Sequence, residues 1–183
     1  MSFERLWAPW RLEYVTGTDA DAQAIPEPIE WLPAADHGCF LCRAAASFDA
    51  AANADRLLMV VDRGPQAIVM LNRFPYNNGH LLISPRRHVG ELSEMTREEH
   101  SACMESLARL TSLYRKLLNA EGFNIGLNLG RVAGAGLPGH LHWHLVPRWS
   151  GDNNFMPVLA GARVIPQSLD ALWELLVGAL NEH

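Results

Sequence analysis

The run Gly139-His140-Leu141-His142-Trp143-His144-Leu145-Val146-Pro147 limits what this chain can fold into more than any other stretch. In an extended segment successive side chains point to opposite faces, so the three imidazoles share one side and Leu141, Trp143 and Leu145 the other. Such a segment suits a sheet with one buried apolar face and one face that carries chemistry. At a rise of ~3.3 Å per residue the outer histidines stand roughly 13 Å apart, which excludes one metal held by all three. Just upstream, Gly130, Gly134, Gly136 and Gly139 make a glycine-rich loop, and such a loop can turn backbone N–H groups toward phosphate oxygens. Histidine is a nucleophile at neutral pH when one ring nitrogen is bare and the other donates to a fixed acceptor. His142, with a histidine on either side, is placed to attack phosphorus; the plainer alternative is three solvated surface histidines beside a flexible turn.

Size and charge narrow the setting. A chain of 183 residues with 49% hydrophobic content suits a soluble globular domain with a proper core. No apolar run approaches the ~20 residues of a membrane span, and the start Met1-Ser2-Phe3-Glu4-Arg5 is unlike a signal peptide, so a cytoplasmic protein is expected. The net charge of −5 argues against broad nucleic-acid or membrane binding but leaves room for a small anion site. Arg86, Arg87 and Arg131 are expected to make that site locally positive. Three cysteines do not form a secreted disulfide framework. Cys103 falls on an apolar helical face and is assigned to the core, whereas Cys39 and Cys42 form a Cys-x-x-Cys that by itself fits redox chemistry, metal binding or neither.

Residues 17–36 show no period and read as an irregular connection. Strands are expected at 56–61 and 67–72 around an Asp62–Pro65 turn, at 80–84 after the Tyr76–Gly79 turn, and at 123–129 and 140–146. Thr96 and Glu99 fit a capping box, after which Cys103, Leu107, Leu110, Tyr114 and Leu117 recur at helical spacing until Gly122. A last helix is predicted over 169–180. Strands with short connections and one long helix give an α+β class, with helices against a mainly antiparallel sheet.

His140-Leu-His-Trp-His-Leu-Val146 resembles the signature of the histidine-triad (HIT) superfamily of nucleotide hydrolases and transferases. Leu71–His88 is similar to that family's strand-turn-strand, and the likeness covers residues 39–149. Arg5–Arg11, Gly126–Gly130 and Pro147–Phe155 further resemble the bacterial diadenosine tetraphosphate phosphorylase branch. The resemblance implies a HIT-like fold over residues 1–183 as a single domain, with a five-stranded mainly antiparallel sheet, a long helix, a C-terminal helix, and a homodimer paired through helix and strand. It implies structural zinc on Cys39, Cys42, His88 and His140, with His37 a rival ligand nearby, and no organic cofactor.

The same resemblance assigns roles. His142 attacks the α-phosphorus of a dinucleoside polyphosphate, adenine being the expected base, and the nucleotidyl-imidazole passes to phosphate or water. His140 orients the nucleophile through its backbone carbonyl, while His144 and the loop around Gly134 and Gly136 stabilise charge on the oxygens. Asn72 matches the ribose-hydroxyl partner, although an Asx-type turn cap explains it almost as well. His80 matches an upstream active-site histidine, Asn128 a substrate-phosphate position, and Met70 and Leu82 either a base pocket or plain core. One departure stands out: Gly136 and Leu137 occupy positions where many relatives have glutamine and then a hydroxyl residue. His144, a backbone amide or water is then left to protonate the leaving group. Two other readings share these residues: a hydrolase of dinucleoside polyphosphates or nucleoside phosphoramidates, and a zinc-stabilised nucleotide-binding adaptor. Arg5, Trp7, Trp10 and the segment after Trp149 either enclose the acceptor or simply pack a terminal segment onto the sheet.

Overall fold

A computed structural model describes residues 25–152 and 166–182. The readings placed on Arg5, Trp7, Trp10, Arg11 and residues 153–155 lie outside them. Five strands, β1 (Val60–Arg63), β2 (Ala67–Leu71), β3 (Leu81–Pro85), β4 (Gly122–Leu127) and β5 (Trp143–Arg148), form one sheet in the order β1-β2-β3-β5-β4. Every pairing is antiparallel. The histidine strand β5 is therefore interior, with His144 opposite Leu82 of β3 and Gly126 of β4.

Alternation along the strands builds two different cores. Val69, Leu71, Leu81, Ile83, Leu141, Trp143 and Leu145 face the long helix and the C-terminal helix. Val60, Ile68, Met70 and Leu82 face the opposite way, toward Cys39, Leu41, Cys42 and Leu58. Those last residues belong to two short helices and one helix cap: α1 (Phe40–Ala45), whose N-cap is Cys39, and α2 (Ala54–Leu58). The long helix α3 (Arg97–Leu118) starts with the predicted reciprocal capping box of Thr96 and Glu99. Arg87 then grips the buried Glu99 carboxylate through Nε at 3.0 Å and a terminal nitrogen at 2.8 Å, tying the end of β3 to the helix start. The last helix, α4 (Leu169–Asn181), lays Leu172 and Leu176 into the same core and donates the Trp173 indole N–H to Val60 O at 2.8 Å.

Three boundaries differ from the sequence expectation. Arg56–Leu58 lies in α2 instead of a strand, because Asn53 and Met59 adopt left-handed backbone angles on either side of a single helical turn. The strand starts at Val60 and runs through Asp62 and Arg63 into the expected turn. α3 stops at Asn119, whose φ of 51° closes the helix, and Gly122 instead opens β4; asparagine tolerates this left-handed region better than most residues. β5 starts at Trp143, since Leu141 N–H donates to Val89 O and Leu141 O accepts from Ser84 Oγ–H, outside the ladder. The alternation of faces nonetheless carries back through His140. Among the described residues no helix is long and apolar enough to cross a membrane.

Candidate active site and metal cluster

The three histidines divide between two neighbouring sites. His140 Nε2 donates to Pro85 O at 2.9 Å, which leaves the Nδ1 lone pair aimed at Cys39 Sγ, 3.3 Å away, and Cys42 Sγ, 3.5 Å away. His88 Nδ1 lies 3.1 Å from Cys42 Sγ. All four donor atoms of Cys39, Cys42, His88 and His140 fall within 4.8 Å of one another. Tetrahedral coordination by two thiolates and two imidazoles sets donor separations of about 3.4–3.8 Å, so the set fits a closed metal site with a hydrogen-bonded outer partner at Pro85. Burial pushes the Cys39 thiol up to about 12 and raises Cys42 as well, as expected for thiols that ionise only when a cation joins them. A side chain on Gly139 would meet His88 Nε2 at 3.3 Å, so the glycine lets the loop pass close to the cluster. His37 stacks on Trp31 at 4.2 Å between ring centroids and takes no part in the cluster.

His142 and His144 face a pocket of about 270 Å³. His142 Nδ1 donates to His140 O at 2.9 Å; a carbonyl can only accept, so the ring proton is on Nδ1 and Nε2 carries the lone pair. Burial lowers the His142 pKa, keeping the imidazole neutral. A second chain of bonds fixes His144. Tyr76 N–H donates to His80 Nδ1 at 3.1 Å, with the Asn72 amide nitrogen 3.2 Å from the same atom. His80 therefore carries its proton on Nε2 and donates to His144 Nδ1 at 3.0 Å, leaving the His144 proton on Nε2. Burial is the main cause holding His80 at about 3 and His140 at about 4, so both are neutral.

Asn72, Asn128, Gly134 and Gly136 all line the pocket, as do Met70 and Leu82. Asn72 also makes the expected Asx-type turn, its Oδ1 accepting from Phe74 N–H at 2.9 Å. The glycine loop, however, folds on itself: N–H groups of Ala133, Gly134 and Ala135 go to carbonyls of Gly130 or Arg131. The expected row of amides turned toward the pocket is reduced accordingly.

The arginines expected at the site lie elsewhere. Arg86 donates to Ala45 O at 3.0 Å, capping the end of α1, and Arg87 is spent on Glu99. Neither they nor Arg131 line the pocket; Arg43 and Arg73 do, along with Phe40 and Tyr76, and no aspartate or glutamate is among the described lining residues. Their signal was adjacency, Arg43 following Cys42 and Arg73 following Asn72. Trp149 packs against the α3 core and donates to Leu118 O at 2.9 Å, outside the described pocket lining.

A tautomer-locked imidazole in a pocket whose described lining holds no carboxylate, beside a Cys2His2 cluster on an antiparallel sheet, has the chemistry to take an anionic ligand and attack it. The HIT domain family matches residues 57–151. An AP-4-A phosphorylase of Mycobacterium tuberculosis is 36% identical over 171 residues, covering 91% of this chain and 78% of its own. The asymmetrical bis(5'-nucleosyl)-tetraphosphatase of Schizosaccharomyces pombe is 33% identical over 82 residues, 45% of this chain and 44% of its own. Among solved structures, a Zn-bound histidine triad family protein from Mycobacterium smegmatis superposes with a TM-score of 0.56 at 27% identity, covering 68% of this chain and 84% of its own. The chain belongs to the HIT family.

Proposed function

We propose that this HIT enzyme catalyses nucleotidyl transfer through a nucleotidyl-His142 intermediate, most favourably phosphorolysis of diadenosine tetraphosphate or a related dinucleoside polyphosphate. The observation that carries the reading is the 2.9 Å bond from His142 Nδ1 to His140 O, which presents a neutral Nε2 lone pair to a pocket with no carboxylate among its described lining residues. His142 Nε2 attacks the α-phosphorus, forming an N–P bond as the P–O bond to the departing nucleotide breaks. His144 Nε2–H supplies the proton or hydrogen bond to that leaving oxygen, a role supported by the Tyr76-His80-His144 chain and by Gly136 and Leu137 in place of a hydroxyl residue. Inorganic phosphate then attacks the same phosphorus and releases His142, giving a nucleoside diphosphate. Asn72 and Asn128 bind the ribose and a phosphate oxygen, and Met70 and Leu82 receive the base.

Zinc on Cys39, Cys42, His88 and His140 would supply folding free energy as a closed structural site. These residues, by holding the His140 ring, fix the carbonyl that orients His142. A homodimer is supported by β4, which ends the sheet among the described residues and leaves Ile125 48% exposed. A cytoplasmic location fits three free cysteines.

The deciding experiment incubates the purified protein with diadenosine tetraphosphate, with and without phosphate, and separates products by chromatography. Phosphate-dependent diphosphate is the expected result; monophosphate at saturating phosphate selects the hydrolase reading, and no turnover selects the binding adaptor.

A further inference from the structure

The pocket has two chemically distinct parts. His142, His144, Asn128 and the Gly134 loop form one part, and Phe40, Leu58, Met70 and Leu82 the apolar other. α1 supplies the apolar wall, and Phe40 and Arg43, one helical turn apart, both reach the lining while Cys42 between them faces the metal cluster. Arg43 is thus a cation on the same helix wall as Phe40.

Its donors are lightly committed. The guanidinium lies 5.9 Å above the centroid of the Trp31 ring and 3.6 Å from Glu27, a carboxylate 81% exposed to solvent. An ion pair that open to water holds a side chain weakly. Arg63 and Arg86, by contrast, donate to Ala46 O and Ala45 O, and Arg148 to Asp152, so their guanidiniums are engaged in the fold. Trp31 holds Arg43 by its face and leaves the edge donors for a ligand.

We propose that Arg43 reads the base edge and makes the pocket accept 6-oxopurine nucleotides, those of guanine and hypoxanthine. The inference rests on the nucleotide reading above. Guanidinium has five donors in a planar fork and no acceptor. The O6 and N7 atoms of a 6-oxopurine are two adjacent acceptors that match that fork, whereas adenine places an amino donor beside N7 and pyrimidines lack N7 altogether. Phe40 and Met70 add base contact without distinguishing one purine from another.

The test measures AMP, GMP and IMP binding calorimetrically to the parent protein and to Arg43→Met, which keeps an apolar stem of similar length; thermal melts report folding. GMP and IMP are expected to bind the parent at least as tightly as AMP. In Arg43→Met both should weaken about tenfold, the discrimination a bidentate base contact provides, while AMP changes less than twofold. Equal weakening of all three would assign Arg43 to phosphate and overturn the proposal, as would no change in any. Failure of the parent to bind any of the three overturns the nucleotide reading itself, and the base-reading role with it.

Discussion

The two faces of the sheet are made from the same alternating strands but are completed in opposite ways. On one, Leu141, Trp143 and Leu145 join Cys103, Leu107, Leu110 and Tyr114 in a core sealed by helices. On the other, the residues between them, His142 and His144, border a pocket that shares its wall with Phe40 and Arg43 of α1, while His140 turns to the cysteines. Burial makes the first face a source of stability. On the second face burial acts on polar groups, so every imidazole there needs a partner that fixes its proton. Packing and chemistry are therefore separable across a single strand, and substitutions on the two faces should fail differently.

The largest effect belongs to the nucleophile. His142→Ala should lower kcat roughly a thousandfold or more while leaving nucleotide affinity within a few-fold, because the variant keeps the pocket and loses the attacking nitrogen. Rapid-quench assays paired with calorimetric binding check this. His142→Gly supplied with a nucleoside phosphoimidazolide should regain transfer, since that substrate brings its own imidazole. Near-normal turnover of His142→Ala on an ordinary substrate would refute the covalent route.

Cys42→Ser tests the boundary between the faces. Elemental analysis of the parent should give about one zinc per chain, and the variant should lose it together with several kcal/mol of stability. Its folded fraction should keep more activity than His142→Ala does, because the closed cluster supports His140 without touching substrate. A metal-free parent of full stability would remove the zinc assignment.

The opposite face gives the contrasting result. Leu110 is fully buried in the α3 core, so Leu110→Ala should cost about 2–5 kcal/mol in urea unfolding through lost burial and a residual cavity. Activity per folded molecule should be unchanged. A fall in kcat of the folded enzyme would show that the faces are coupled.

What the sequence made legible was periodic or local. Alternation at His140–Leu145 separates the two faces, and Thr96 with Glu99 sets the start of α3, because each signal is contained within a few residues. The misread parts depended on backbone turns and hydrogen-bond partners that residue type does not announce. Arg56-Leu57-Leu58 has the apolar character of a strand end, and only the left-handed turns at Asn53 and Met59 make it helical. Arg86 and Arg87 carry the same charge as Arg43, but Ala45 O and Glu99 claim them across the fold. The Gly130–Gly139 loop announced flexibility, yet its own carbonyls take amides expected to face a ligand. Composition records a group's capacity to bond, and the fold decides where that capacity is used.

The smallest effect is the acid sensitivity of the site face, centred on His80. This ring is fully buried and its pKa lies near 3, well below the ordinary 6.5, chiefly through desolvation, with the nearby His144 adding to it. Between those values the unfolded chain binds a proton that the folded one refuses. The stabilising contribution is thus complete above about pH 6.5 and is lost as pH falls toward 3. One such histidine contributes a slope approaching about 1.4 kcal/mol per pH unit within that window. His80→Asn keeps an acceptor for the Tyr76 N–H but cannot be protonated, so unfolding free energies measured from pH 6.5 down to 5 should fall less steeply than in the parent. His140 and His142 are shifted the same way and retain part of the slope. An unchanged slope would mean that His80 accepts its proton in the folded state, and the bond chain that sets the His144 tautomer would then be wrong.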